Sequence, residues 1–413
     1  MSEGISARQQ PWLPLWEGRR PRADEVAAKK KLSLPTVGLF AGIGGIELGF
    51  SRAGHPTQML CEIDTAARAV LEARFPDVSV HDDVCTLSDL PRGTDLLVGG
   101  FPCQDLSQAG KTQGIEGAKS GLVGEVFRLL KKHETPWVVL ENVPFMLQLA
   151  KGKALEVIVA ALEHLGYRWA YRVVDTRSFG LPQRRRRVYM VASLDGDPRD
   201  VLFADDAGAP AEQELDDIAC GFYWTEGVRG LGWAKDAVPT LKGGSTVGVP
   251  SPPAIWMPDG EVVTPDIRDA ERLQGFRPDW TKPAERVARP GMRWRLVGNA
   301  VSVPAAKWLG GRLAEPGAAK LENVRPVGVG GKWPDAAWNV GDGRFTHDCS
   351  AWPKNYKRQH LHEFLKEAPK PLSQRATAGF LARTKKGSLN FPPGFLDAVE
   401  SHLEKMQAAA ADA

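Results

Sequence analysis

Short apolar runs recur along the first half of the chain, and each is followed by a turn and then by a stretch with helical spacing. Residues 37–40, 57–61, 78–81, 94–98 and 137–140 have the length and aliphatic content of buried strands. Between them, residues 66–75 carry apolar positions at helical spacing, as do 121–132, where Leu122, Val126, Leu129 and Leu130 share one side. Ala154, Leu155, Ile158, Val159, Leu162 and Leu165 repeat the pattern, and Gly166 supplies the stop. Residues 171–174 and 188–191 read as a further strand pair. This alternation predicts an α/β chain folded as a doubly wound, Rossmann-like mixed sheet, with functional groups collected at the carboxyl ends of its strands.

From 192 to 264 the periodicity fades. The stretch is rich in Gly, Pro, Asp and Thr and is anchored by Phe222, Tyr223, Trp224, Trp233, Ile255 and Trp256, which predicts a small irregular domain of loops and short strands. Helical spacing returns at 266–275 and again up to Leu309, so residues 265–312 bring the chain back to the first domain, 34–191. Residues 1–33 mix Trp12, Trp16 and prolines with Lys29-Lys30-Lys31 and read as a loosely ordered arm. Residues 313–413 carry Trp333, Trp338, Trp352 and a helical stretch at 394–406, and are expected to form a C-terminal extension, an appendage to the rest.

Composition narrows the class only slightly. A chain of 413 residues with 43% hydrophobic and 25% charged content has room for two or three soluble domains. The sequence has no apolar run of membrane-spanning length and no apolar signal core, so an intracellular, cytoplasmic protein is expected. Cys61, Cys85, Cys103, Cys220 and Cys349 form no CxxC pair, which fits a reducing compartment. The net charge of +3 is too small to announce a nucleic-acid partner, so any such surface must come from local clustering.

The candidate chemistry lies at the predicted strand ends. After the first strand, Gly42, Gly44 and Gly45 form a turn with bare backbone that a nucleotide-like ligand could approach. Glu62 ends the second strand, where a carboxylate can accept two ribose hydroxyls, and Asp83 ends the third, suited to an adenine amine. Gly99-Gly100-Phe101-Pro102-Cys103-Gln104 turns sharply out of the fourth, so Cys103 stands stiffly beside Pro102 and before a Gly-, Ser- and Gln-rich tail that can move. The fifth strand delivers Glu141-Asn142-Val143 to the same edge. Gln183 is followed by four arginines; strand side chains alternate faces, so two of these can point inward together.

Taken in order, these blocks resemble the DNA cytosine-5 methyltransferases. The resemblance rests on Leu39-Phe40-Ala41-Gly42-Ile43-Gly44-Gly45, Gly100-Phe101-Pro102-Cys103-Gln104, Glu141-Asn142-Val143, Gln183-x-Arg185-x-Arg187, Arg272-Leu273-Gln274-Gly275-Phe276 and Gly298-Asn299-Ala300-Val301, and covers residues 36–312. It implies a methyl transfer from S-adenosylmethionine to C5 of a cytosine flipped out of duplex DNA. Cytosine C5 is a poor nucleophile until something adds at C6. The resemblance therefore makes Cys103 the covalent nucleophile and Glu141 the acid at N3, with Arg187 on O2 and Arg185 supporting the flipped nucleotide.

By the same resemblance Phe40, Gly42, Gly44, Gly45, Glu62, Asp83, Pro102, Leu122 and Asn299 hold the cofactor. Gln104 and Ser107 are expected to fill the space the base vacates and to hold its phosphate, and Thr240 to touch the DNA backbone. Residues 192–264 would form the target-recognition domain, reading bases through the major groove. A monomer acting on DNA is expected, as a bacterial or phage modification enzyme, nucleoid-associated, with a cognate restriction endonuclease for the same site as a further partner.

Three rival readings are an RNA cytosine-5 methyltransferase, a catalytically silent DNA-binding regulator and a bifunctional restriction-modification chain, for which the tail shows no nuclease-type acid and lysine cluster. The Cys-Phe-Thr signature of the RNA branch is missing, and a silent regulator should have lost Cys103, Glu141 or the arginines. Departures from the family pattern include Gly38, where Asp or Ser is common, and Ala118-Lys119-Ser120 in place of an Arg-Ser pair. His347, Cys349, His360 and His362 match no standard zinc spacing, and no metal site is expected. The extension itself is read as a packing or DNA-contacting element.

Overall fold

The computed structural model describes residues 31–102, 121–211, 214, 217–243, 250–328 and 330–411. Five strands, β1 (Thr36–Leu39), β2 (Thr57–Cys61), β3 (Ser79–His81), β4 (Leu96–Gly99) and β5 (Trp137–Asn142), run parallel in the spatial order β5-β4-β1-β2-β3. β1, β4 and β5 are buried at every residue, the setting in which a strand reads as an unbroken apolar run. The chain then adds β6 (Arg168–Asp175), the short β7 (Gln183–Arg184) and β8 (Arg186–Ser193), with β8 lying antiparallel between β5 and β6.

Alternate strand residues feed two cores. Leu97, Val138 and Leu140 pack with Val126, Leu129, Ile158 and Leu162 of the helices Leu122–His133 and Lys153–His164. Leu96, Val98 and Val139 face the other way, onto Ile46 and Phe50 of helix Gly45–Ser51 and Ala305 and Leu309 of helix Val303–Ala314. The second of these helices comes from the far end of the expected domain, so residues 265–312 close one face of the sheet. Burial on both faces is what a doubly wound sheet requires. The expected helix at 154–165 is helix Lys153–His164, followed by Gly166 at φ +80°.

The recognition region forms β9 (Cys220–Phe222), β10 (Ala234–Lys235), β11 (Val238–Pro239), β12 (Ala254–Trp256) and β13 (Val262–Thr264). The extension supplies β14 (Glu322–Pro326), β15 (Ala336–Asn339), β16 (Phe345–Asp348) and β17 (Lys370–Pro371). It is not an appendage. β15 pairs with β6 and carries β16 and β14 beyond it, so the large sheet has ten strands among the described residues, in the order β14-β16-β15-β6-β8-β5-β4-β1-β2-β3. β17 pairs with β13 in the second sheet, order β10-β9-β12-β13-β17. Helices Gln374–Thr384 and Phe395–Ala411 cover that sheet, where Phe380, Phe395 and Val399 pack against Phe222 and Val262. These strands escape periodicity because β14 is exposed throughout and the first three residues of β15 are all buried, so neither alternates.

The tail histidines are spread over different surroundings. The His347 ring lies 4.5 Å from that of Phe203 in the core, whereas His360 Nδ1 is 3.2 Å from Asp236 Oδ2 at the recognition region. Among the described residues no helix is long and apolar enough to cross a membrane.

Candidate active site

β1 ends at Leu39 and the chain turns at once, with Phe40 at φ +53°, Gly42 at +56° and Gly44 at +80°. A left-handed backbone is costly for a residue that has a Cβ, and such strain collects at ligand sites. The turn is held from β2. Glu62 Oε2 accepts the Gly42 N–H at 2.7 Å and Oε1 accepts the Asp64 N–H at 2.8 Å. Burial raises the Glu62 pKa above the ordinary carboxylate value, and these N–H donors oppose the rise. Each oxygen keeps a further lone pair for a ligand hydroxyl.

A cavity of about 350 Å3 opens along these strand ends. Phe40, Gly42, Glu62, Asp83, Pro102, Leu122 and Asn299 line it, and Asp83 Oδ1 is steadied by the Cys85 N–H at 2.9 Å. Gly44 and Gly45 do not line it. A Cβ on Gly44 would stand 2.3 Å from the Phe75 ring, and one on Gly45 would stand 2.6 Å from the Val301 carbonyl, so both are glycines for close packing. Sequence reading missed Asp64 and Arg295. Asp64 accepts the Ala66 and Ala67 N–H groups at 2.9 and 3.0 Å as the cap of helix Thr65–Arg74, and Arg295 reaches it at 3.7 Å beside the cavity. The Asp-x-x-Ala cap signal was legible; the arginine, 231 positions later in number, was not.

Next to the cavity stands Glu141, near the end of β5. Its Oε1 is 3.0 Å from Arg187 Nε, and Oε2 would be 3.2 Å from a Cβ built on Gly100, which lines the cavity. Burial pushes the Glu141 pKa up, while Arg187 and Arg185 pull it down. A carboxyl group so balanced can hold or release a proton without a large penalty. Its neighbour Asn142 does a separate job: Nδ2 donates to the Phe101 carbonyl at 3.1 Å, tying β5 to the turn that leads into Pro102.

Arg185 differs from expectation. It is 1% exposed and donates to the carbonyls of Leu241 at 3.3 Å, Gly298 at 3.2 Å and Ala300 at 2.6 Å. Its two terminal nitrogens go to backbone carbonyls while its buried Nε has no partner among the described residues, so it holds together the segments around the site. Gln183 and Gln274 extend the same buried knot: the Leu241 N–H donates to Gln183 Oε1 at 3.1 Å, and Gln274 Nε2 donates to the Val297 carbonyl at 2.8 Å. The Thr240 hydroxyl donates to the Arg184 carbonyl at 2.9 Å, so here it serves the junction between β7 and β11 rather than an outside acceptor. Cys103, Gln104 and Ser107 lie outside the described residues.

The comparisons agree with this geometry. The sequence profile of the C-5 cytosine-specific DNA methylases matches residues 34–217. The chain is 47% identical over 381 residues to the Type II methyltransferase M2.BsuMI of Bacillus subtilis (strain 168), an alignment covering 89% of this chain and 97% of that protein. With the Type II methyltransferase M.NgoBI of Neisseria gonorrhoeae it shares 31% identity over 65% of this chain and 89% of the other. Among solved structures, the Dnmt2 methyltransferase of S. pombe superposes with a TM-score of 0.50 at 20% identity, over 68% of this chain and 98% of that one, a likeness of fold. Family match, near-complete alignment and site together lead to one conclusion: the chain belongs to the C-5 cytosine-specific DNA methylases and is a DNA (cytosine-5) methyltransferase of the Type II restriction-modification kind.

Proposed function

We propose that the enzyme methylates cytosine at one short site in duplex DNA, through a Cys103–C6 adduct on a flipped base. The observation that carries this reading is the Arg187–Glu141 pair, a buried acid and a cation 3.0 Å apart beside the cavity. Membership of the family implies S-adenosylmethionine, and the donor set fits it. Glu62 offers paired acceptors for ribose hydroxyls, Asp83 an acceptor for the adenine amine, Phe40 and Leu122 apolar contact, and Gly42 an uncovered turn. When bound, that group supplies an electrophilic methyl on a sulfonium.

The chain's own residues do the rest. The Cys103 thiolate adds to C6 of the base, and the electron density that moves toward N3 is met by the Glu141 proton. Arg187 holds O2 and, by its charge, keeps Glu141 from taking up its proton too tightly. C5 then takes the methyl group, a base or water removes the C5 proton, and Cys103 leaves as C6 regains its double bond. Arg185, Gln183 and Gln274 brace the recognition region against the catalytic sheet, so that residues 192–264 read bases from a fixed stance. Gln104 and Ser107 support the vacated space and the phosphate. A restriction endonuclease for the same site is the expected partner, and the cytoplasm the expected place of action.

The deciding experiment incubates duplex DNA with the protein and S-adenosylmethionine, followed by nucleoside mass spectrometry and base-resolution mapping. 5-Methylcytosine confined to one short motif is the expected result, lost in Cys103→Ser while DNA binding persists. Unmodified DNA with methylated transfer RNA would overturn the substrate assignment, and turnover by Cys103→Ser would overturn the adduct.

A further inference from the structure

The rim that carries Glu141 also receives part of the C-terminal extension. β8 is antiparallel to both β5 and β6, so the carboxyl ends of β5 and β6 lie on one rim. β15 is antiparallel to β6, which places its amino-terminal end, and the segment leading into it, on that rim as well. The Val173 N–H donates to the Asp335 carbonyl at 2.8 Å, and Arg186 reaches the Asp335 carboxylate at 2.6 Å. The connection after β5 rises from the same rim toward helix Lys153–His164.

Where the two segments meet they enclose a recess of about 320 Å3. The contact is close: a Cβ on Gly152 would stand 2.1 Å from the Gly331 carbonyl oxygen. Trp333, buried, locks it, donating its backbone N–H to the Leu147 carbonyl at 3.0 Å and its indole N–H to that of Gly152 at 3.1 Å. The recess therefore exists only because the extension folds back onto the catalytic domain.

Its charge is one-sided. Lys151, Lys153 and Lys332 line it, all three exposed, and none of their ammonium groups forms an ion pair with a described residue. The lining acid Glu156 pairs with Arg344 at 2.7 Å, and Arg344 is shared with Glu163 at 2.8 Å, so these three groups keep one negative charge against the three lysines. Three exposed ammonium groups, a net excess of positive charge even with that carboxylate counted, match a polyanion laid across the rim beside the reacting edge.

We propose that this recess grips the sugar-phosphate backbone of the duplex DNA substrate, making the C-terminal extension part of the DNA-binding surface. The inference rests on the reading of duplex DNA as substrate. Its test is equilibrium binding of a cognate duplex across a range of salt concentrations, for the full-length enzyme and for the triple variant Lys151→Ala/Lys153→Ala/Lys332→Ala. Each lost phosphate contact lowers the slope of log affinity against log salt by about 0.9, so the triple variant should lose roughly two to three units of slope and at least about tenfold in affinity. KM for DNA should rise in step, with kcat at saturating DNA, S-adenosylmethionine affinity and thermal unfolding unchanged. A wild type that neither binds nor methylates duplex DNA overturns both readings. A wild type that does both, beside a triple variant with unchanged slope and affinity, overturns this inference alone.

Discussion

Arg187 Nε stands 3.0 Å from Glu141 Oε1, and the two side chains are only 12% and 10% exposed. They come from adjacent antiparallel strands, β8 and β5, so the sheet itself brings an acid and a cation together beside the cavity. Two opposing influences act on the acid, burial raising its pKa and the arginines lowering it. Removing Arg187 removes a lowering influence, so in Arg187→Ala the Glu141 carboxyl keeps its proton to higher pH. The limb of the kcat/KM pH profile that reports Glu141 should move to higher pH. Methyl transfer should fall by about 10²–10³, as when one preorganised donor is lost. Pre-steady-state transfer assays across pH test both; an unmoved limb would detach Arg187 from the acid.

Asn142 offers a way to disturb the turn that leads into Pro102. Asn142→Asp keeps the acceptor for the Val143 N–H at 2.8 Å but loses the donor to the Phe101 carbonyl. The new carboxylate is buried and faces the Phe101 carbonyl oxygen, so the cost in stability should be about 1–3 kcal/mol or more, the penalty of an unsatisfied buried polar group rather than the net worth of one hydrogen bond. Single-turnover transfer should slow by a larger factor than that cost alone explains, with DNA affinity kept. Equal stability and equal rate in the variant would mean the tie does not position the turn.

For the cavity, the informative residue is Glu62. Its oxygens already receive two backbone N–H groups, and Glu62→Gln turns one acceptor into a donor facing a donor. S-adenosylmethionine affinity should fall tenfold or more by isothermal titration, in line with roughly 1.5–3 kcal/mol for a hydrogen bond to a charged group. DNA affinity measured without S-adenosylmethionine should hold. Unchanged titration would place the ribose elsewhere.

Glu47 explains Gly38, the position that departs from the family pattern. A Cβ at residue 38 would lie 2.1 Å from Glu47 Oε1, so Gly38→Ala should destabilise the fold by about 1–3 kcal/mol, and Glu47→Ala in the same chain should recover much of it. Chemical denaturation of the two single variants and the double variant measures this coupling, and strict additivity would refute it.

Burial also raises the Glu47 pKa to about 7. A carboxyl whose folded pKa lies above its unfolded value adds stability at low pH and loses it as pH rises through the folded pKa. Wild-type stability should therefore decline between pH 4.5 and 7 relative to Glu47→Gln, by up to about 3 kcal/mol, and parallel stability curves for the two would exclude a shifted Glu47.

Much of the catalytic half was readable before any coordinates. Leu96–Val98 of β4 and Trp137–Leu140 of β5 are unbroken apolar runs because both faces of a parallel sheet are covered, and an apolar run with a glycine or an acid at its end marks where a ligand can reach bare backbone or a carboxylate. Glu62 and Asp83 follow from strand order and residue type, Phe40 and Asn299 from the family resemblance, and all four line one cavity.

The roles of Arg185, Gly44 and Gly45, and the meeting of Asp64 with Arg295, depended instead on partners far away in the chain. Arg185 reads as a phosphate ligand by residue type, yet its guanidinium meets the Leu241, Gly298 and Ala300 carbonyls, groups every residue has and no motif marks. The extension is the plainest case. β15 is four residues long and joins the sheet through backbone hydrogen bonds to β6, more than 150 residues earlier, a pairing that carries no side-chain pattern. Local spacing reports which face of an element is buried; only the folded chain decides which distant backbone or charge that face meets.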